Sequence, residues 1–471
     1  MTVEATGRAA RPSATWWLHA IAIPALIGCA VGAVTAIDPI ARAALPLPQT
    51  VAPYLLVAVP LILLAAVYVV ARYGQAMFAH RDAALVLLLV GSGGFSGINR
   101  GPLDPTDVAF LICCFAVAAM WLYERRAIVT PLPVLALLLA LTTCSIASII
   151  NGGISSIIGQ HQVLNKIIAV ILLTNVLGTE RTLRIGIRCL VGVAIVTAVV
   201  GIASELLFLA TGYPLSFDDA PGFQFKSTPL GQMLRATAFL PTTQSLAQVL
   251  LVSTAIFLFL PMPTWRRVLG VALSGVCIGC TFNSGSYTSF AFVVFGSLFL
   301  RHPQRSIHYA MVLLGAAALL YFAGFWQVLG ERVILAISGA SIGERIEHIR
   351  IGFEVIERHP FLGLGLRNIW RVLHTPIHQT FLHVAAELGV PAALTLIALT
   401  VYLLVGSAWI AVRAPDARTR MLMKGMFLGM AAQTMYAMIE PLFTSYMVWI
   451  YMAVVASSIA VHARRCVQEI P

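Results

Sequence analysis

The sequence predicts an all-α polytopic membrane protein with about 12 to 14 transmembrane helices, and three observations predict it. Of its 471 residues 59% are hydrophobic and 10% charged, with a mean hydropathy of +0.90, whereas charged residues make up about a quarter of an ordinary soluble domain. Apolar runs of about 20 residues, enough to cross roughly 30 Å of hydrocarbon as a helix, recur along almost the whole chain. The runs are continuous and lack the period-two alternation of a membrane barrel.

Taken in order, spans are expected near 16–37, 51–71, 83–99, 107–123, 132–150, 163–178 and 189–211, most of them bounded by basic clusters at one end. Three follow with short connections, near 238–260, 268–283 and 286–300, and then one near 308–328. Three more close the chain, near 379–410, 425–440 and 442–461. No repeat or flexible linker divides them, so residues 1–471 read as a single integral membrane domain. The first span reads as an uncleaved anchor.

Basic residues orient this arrangement. With the N-terminus inside, the clusters Arg8/Arg11, Arg72/Arg81, Arg125/Arg126, Arg181/Arg184/Arg188, Arg266/Arg267, Arg301/Arg305, Arg413/Arg418/Arg420/Lys424 and Arg464/Arg465 all fall on the cytoplasmic side, 19 of the 30 Lys and Arg. Both termini are then cytoplasmic. The formal charge of +11 is mostly topological, and no basic domain offers a nucleic-acid surface. The eight cysteines lie in or beside spans or at the cytoplasmic end, without a plausible external disulfide pair, and "CIGC" at 277–280 reads as packing inside an apolar span.

Eight of the remaining 11 basic residues fall in two external segments. The first, 212–237, is rich in Pro, Gly and aromatics and ends at Arg235, where the next span begins; it reads as an ordered loop folded on the membrane. The second, 329–378, contains the helical stretch "GERIEHIRIGFEVIERHP". Ile346, Ile349, Phe353 and Ile356 share one face, while Glu347, Arg350, Glu354, Glu357 and Arg358 lie opposite. Such a helix suits the outer membrane boundary, and Pro360 with "GLG" at 363–365 ends it.

Chemistry is expected where these segments meet the outer surface. Arg235 and Arg345 carry planar guanidinium forks that match phosphate oxygens and keep their charge. The bland alternative is that each snorkels to headgroups, or that Arg345 pairs with Glu344 or Glu347. His378, at the start of the span 379–410, could take a proton from a hydroxyl. His383 and Glu387 are i,i+4 neighbours deeper in that helix and read as a structural pair. No metal site is expected: Pro376 separates His374 from His378, "HQTFLHVAAE" lacks the HExxH pattern, and Asp218/Asp219 read as a solvated turn. With no P-loop and no GxGxxG after a strand, an activated donor would have to arrive through the membrane as a lipid pyrophosphate.

These residues resemble a family. "GERIEHIRIGFEVIERHPFLGLG" followed by "HQTFLHVAAELGV" is similar to the C-terminal signature of the O-antigen ligase/polymerase superfamily, and "LRATAFLPTTQSLAQVLL" is similar to its Arg-x-x-Gly-x-x-x-x-Pro-Asn-x-x-Ala stretch. The resemblance places the catalytic histidine on His378 and the two functional arginines on Arg345 and Arg235; Arg350, Glu347, Glu387 and His383 are read beside them as supporting or substrate-binding residues. It implies a metal-independent, inverting GT-C type glycosyltransferase without a cofactor. Such an enzyme acts in the bacterial inner membrane, moving a glycan from undecaprenyl pyrophosphate to an acceptor hydroxyl on the periplasmic side. The acceptor is lipid A–core for a ligase; a polymerase joining repeat units is the alternative. A polysaccharide-lipid transporter or flippase is the reading from another class, but it calls for symmetry-related repeats and mid-span ionisable residues that the sequence does not clearly show. The departures are Gln379 for the Asn after the histidine, Ala238 or Phe239 for the Gly after "RAT", Thr-Thr for Pro-Asn, and "NSGSYTS" where a Ser-Arg is usual.

Overall fold

The computed structural model describes residues 81–94, 129–212, 225–228, 231–305, 341–373 and 376–468, with isolated positions between 110 and 117 and between 308 and 315. The spans expected near 16–37, 51–71, 107–123 and 308–328 lie wholly or almost wholly outside these residues, as do Asp218, Asp219 and His374. The elements below all belong to one compact unit, Arg81–Pro471.

The described fold is helical. Its first half runs α1 (Arg81–Gly93), α2 (Leu132–Ala147), α3 (Ile149–Val176) and α4 (Glu180–Thr211), then a short antiparallel hairpin, β1 (Phe225–Thr228) with β2 (Gly231–Leu234). The second half runs α5 (Thr243–Phe259), α6 (Thr264–Cys280), α7 (Ser284–Arg301), α8 (Ser341–Arg358), α9 (Asn368–Leu373), α10 (Thr380–Leu388), α11 (Val390–Arg413), α12 (Ala417–Ala437) and α13 (Tyr446–Gln468). Side chains start several of these helices by accepting from otherwise orphaned N–H groups. Thr179 and Thr182 form a reciprocal cap on α4, Thr242 caps α5, Asn283 caps α7 and Asp416 caps α12.

Segments Leu132–Gly153, Glu180–Thr211, Val390–Arg413 and Tyr446–Ala463 are long and apolar enough to cross a membrane, and the chain is a multi-pass membrane protein. Its outward surface carries the pattern that lipid selects. Leu132, Leu139 and Ile150 on or just after α2, Leu206 and Leu209 on α4, and Val401, Val405 and Val412 on α11 are exposed. Small and hydroxyl residues such as Ser204, Thr400 and Ser407 are buried between helices, with hydroxyls bonded to carbonyls one turn back. Helix α5 is buried on nearly every side, as expected of a helix that is apolar all round. It packs against α4, α6, α7 and α12.

Because α5, α6, α7 and α12 run antiparallel in turn, their ends sort the polar residues into two groups. At one end Lys424 Nζ donates to the Leu300 carbonyl, Arg267 donates to the Leu260 and Met262 carbonyls, and Arg301 lies over the Phe259 ring. At the other end stand Arg235, Thr243, Thr281, Asn283 and Tyr436. The helices thus place Lys424, Arg267 and Arg301 at one end of this bundle and Arg235 at the other.

The expected span 379–410 is two helices. Gly389, at φ 91°, breaks it between α10 and α11, and Pro391 sits in the first turn of α11. The chain reopens there to close a backbone clasp: Val390 N–H bonds the Pro360 carbonyl, Leu364 N–H the Ala386 carbonyl and Gly365 N–H the Glu387 carbonyl, each at 2.8 Å. A Cβ on Gly389 would strike the Phe361 carbonyl, and one on Gly363 the Glu387 carbonyl, so both glycines are required by close approach as well as by positive φ. Below the clasp Ile369, Ile377 and Ala386 form a small core, against which Val355 and Ile356 of α8 pack. Helix α8 therefore has three sides. One packs on α9 and α10, one carries exposed Ile346 and Phe353 (62% and 61%), and one carries the charged residues. The span expected at 425–440 likewise ends earlier, at Ala437, which puts Glu440 and Pro441 in the turn before α13.

Candidate functional site

The polar end of the bundle converges on one carboxylate. Glu440 is 1% exposed, held where α12 unwinds before Pro441, and its N–H still bonds the Tyr436 carbonyl. Its Oε1 accepts from Arg345 Nη2 at 3.1 Å and from Asn283 Nδ2 at 3.3 Å. Its Oε2 faces His378 Nδ1 at 3.5 Å. Burial alone would raise the Glu440 carboxyl, but the His378 contact, the Arg345 charge and the Asn283 hydrogen bond together hold it below the ordinary carboxylate range.

Each partner is positioned by its own stretch of sequence. His378 directly precedes Gln379, whose side-chain oxygen caps α10 by accepting from Leu382 N–H. That is the work an Asn does at an N-cap, so Gln379 keeps the function of the residue it replaces. Thr380 then fastens the histidine turn to the carboxylate turn, donating to the Glu440 carbonyl at 2.7 Å and accepting from Leu442 N–H at 2.8 Å. Asn283 uses both halves of its amide. Its oxygen caps α7 through Gly285 and Ser286 N–H, while its NH2 donates to Glu440 and to the Tyr436 hydroxyl at 3.1 Å. His348, one turn beyond Arg345 on α8, stacks parallel to His378 with ring centroids 5.9 Å apart.

Arg235 enters from the segment after β2. Its Nε donates to the Thr281 carbonyl at 3.2 Å and its Nη2 to Thr243 Oγ1 at 3.0 Å. It is within electrostatic reach of Glu440, Tyr436 and Tyr287, and its burial lowers it from the ordinary guanidinium value without removing its charge. The Thr-Thr pair of the sequence thus divides two tasks: Thr242 caps α5 and Thr243 holds Arg235. Ala238 lies at φ 51°, in the left-handed region that glycine favours, which identifies it as the residue standing at the glycine position of that stretch. Ala238→Gly is therefore expected to stabilise the fold by about 1 kcal/mol, read as a higher unfolding midpoint in detergent.

The other expected residues go elsewhere. Arg350 pairs with Glu347 (Nε to Oε2, 2.9 Å) and Glu354 (2.9 Å) on the exposed side of α8, and this pairing holds Glu347 below its ordinary value. Arg345 takes Glu440 as its partner. His383 and Glu387 face each other at 3.5 Å and are both buried. The Glu387 carboxyl accepts the backbone N–H groups of Arg367 and Ile369, so it ties the glycine clasp to α10. Among the described residues no group of three His, Cys, Asp or Glu is placed to hold a metal ion.

Residues 269–397 match the O-antigen ligase family model, Wzy_C. The matched segment spans Asn283, Arg345, His378 and the clasp and leaves Arg235 and Glu440 on either side of it. No curated protein matches the sequence. Among solved structures, a chain from work titled "Structural coordination of polymerization and crosslinking by a peptidoglycan synthase complex" is similar, with 17% identity and a TM-score of 0.41, covering 71% of this chain and 98% of the other. So loose a likeness carries no argument about the site.

Glu440 and Asn283 are the residues that sequence reasoning missed around the ligase-family segment. Each left a signal. Asn283 stands in the stretch where an arginine was missing, and Glu440 is a lone carboxylate before a proline on the side of the membrane assigned to His378.

Proposed function

We propose that the protein is an O-antigen ligase: a metal-independent, inverting membrane glycosyltransferase that transfers a glycan from undecaprenyl pyrophosphate to a hydroxyl of lipid A–core. The site then faces the periplasm of the bacterial inner membrane, the segments 212–237 and 329–378 are external, and both termini are cytoplasmic. The observation that carries the reading is the convergence of Arg345 and His378 on buried Glu440, with Arg235 in electrostatic reach of the same carboxylate, at the end of the bundle opposite the basic cluster.

In this reading His378 takes the proton from the acceptor hydroxyl as its oxygen attacks the anomeric carbon. The bond from that carbon to the pyrophosphate oxygen breaks, its electron pair leaves with that oxygen, and the guanidinium groups of Arg345 and Arg235 stabilise the charge there. Attack from the face opposite the leaving group inverts the anomeric centre. Arg350 and Glu347, on the outer side of α8, stand where an acceptor headgroup would approach, while Glu387 and His383 keep the clasp and α10 in place.

Deletion of the chain followed by analysis of surface glycans tests the choice of acceptor. The ligase reading expects finished polymer to accumulate on its polyprenyl carrier. Single-repeat products on lipid A–core would instead make the protein a polymerase, and intermediates held on the cytoplasmic face would make it a flippase.

A further inference from the structure

We propose that Glu440 is the positioning residue of this site: it fixes His378 as the tautomer protonated on Nδ1, so that Nε2 is the nitrogen left to receive the acceptor's proton. The inference deepens the proposed function and rests on it only for the meaning of that proton.

The two carboxylate oxygens of Glu440 face different partners. Oε1 is occupied by two groups that can only donate, the Arg345 guanidinium and the Asn283 NH2. Oε2 is left for His378, whose Nδ1 is buried in a ring that is 25% exposed overall. A carboxylate has only acceptors to offer, so the imidazole nitrogen facing it is the one that carries hydrogen. The exposed part of the ring is then the Nε2 edge. The remaining polar groups around the pair do not disturb this assignment. Arg345 and His348 approach from α8, Asn283 and Tyr287 from α7, Tyr436 from α12, and Arg235 from the segment after β2. Among the described residues named here, Glu440 is the one carboxylate. Thr380, bonded to the Glu440 carbonyl and the Leu442 N–H, fixes the spacing of the two turns.

Glu440→Gln reverses the arrangement without changing its shape. Arg345 and Asn283 still require an acceptor, so they claim the amide oxygen, and the new NH2 is turned towards His378. Its Nδ1 must then accept, which places the hydrogen on Nε2 and removes the base. A buried acid next to a catalytic histidine acts in this way in serine hydrolases, where the acid-to-amide change lowers kcat by about 10⁴ through the wrong tautomer.

The test reads the tautomer directly and needs no substrate. The full chain, labelled with 15N-histidine and reconstituted in phospholipid bilayers, is examined by solid-state NMR above neutral pH, with the His378 signals assigned by their loss in His378→Gln. Wild type should show hydrogen on Nδ1 and bare Nε2; Glu440→Gln should show the opposite, and Glu440→Asp should keep the wild-type pattern. Should Glu440→Gln fail to fold, the wild-type and Asp spectra decide alone. Hydrogen on Nε2 in wild type, or a pattern unchanged in a folded Glu440→Gln, overturns the proposal. In a transfer assay, Glu440→Gln should lose at least 10²-fold in kcat with Glu440→Asp recovering most of it, whereas equal losses in both folded variants would make Glu440 merely structural. If His378→Ala retains transfer, the proposed function falls while the tautomer result stands.

Discussion

Replacing His378 with alanine is expected to abolish transfer while leaving the protein folded in the membrane. A positioned general base contributes about 10²- to 10⁴-fold, and no other described imidazole touches Glu440. His348 stacks on the His378 ring, with centroids 5.9 Å apart. Little stability should be lost, because Glu440 keeps its two donors on Oε1, Arg345 and Asn283, and the turn remains pinned by Thr380. The check is a comparison of initial rates at equal membrane levels. A variant that retains more than a tenth of wild-type rate removes His378 from the role.

Arg345→Lys is expected to lower kcat/KM by about 10²-fold even though the charge is kept. Arg345 spends one nitrogen on Glu440, is 31% exposed, and has further N–H groups in its planar fork for a phosphate oxygen. A lysine has a single nitrogen, and satisfying the buried carboxylate leaves it poorly placed for a bidentate contact. The conservative variant is the informative one, since alanine would strand a buried charge at a cost of about 3–5 kcal/mol and confuse folding with function. Steady-state kinetics over donor concentration checks the expectation; wild-type kinetics in Arg345→Lys would mean the guanidinium serves only to neutralise Glu440.

The architecture was legible because hydropathy and charge are local properties. The helices α2, α4, α11 and α13 fall where apolar runs predicted them, and the amphipathic α8 lies between Ser341 and Arg358. His378, Arg345 and Arg235 were legible through their motifs, and their proximity could be anticipated once charge sorting put them on one side. The break at Gly389 was written in "ELGVP", a helix stop followed by a helix start, but the continuity of apolar residues masked it. Glu440 was hidden for a different reason. Its meaning comes from three partners 62 to 157 positions away, and an isolated Glu between two apolar runs reads locally as a helix end. Its burial, which no local pattern reveals, is what turns it from a surface charge into the organiser of the site.

The most direct test of the reaction centre is a reconstituted transfer reaction. The purified chain in phospholipid bilayers is given a polyprenyl-pyrophosphate-linked glycan and lipid A–core, and glycosylated acceptor and released polyprenyl pyrophosphate are both quantified. The expected result is one pyrophosphate lipid released per glycan transferred, with inverted anomeric configuration, and neither product formed by His378→Ala. Transfer by His378→Ala at more than a tenth of the wild-type rate, or product with the donor's configuration retained, would contradict the assignment of His378 as the base of a single displacement.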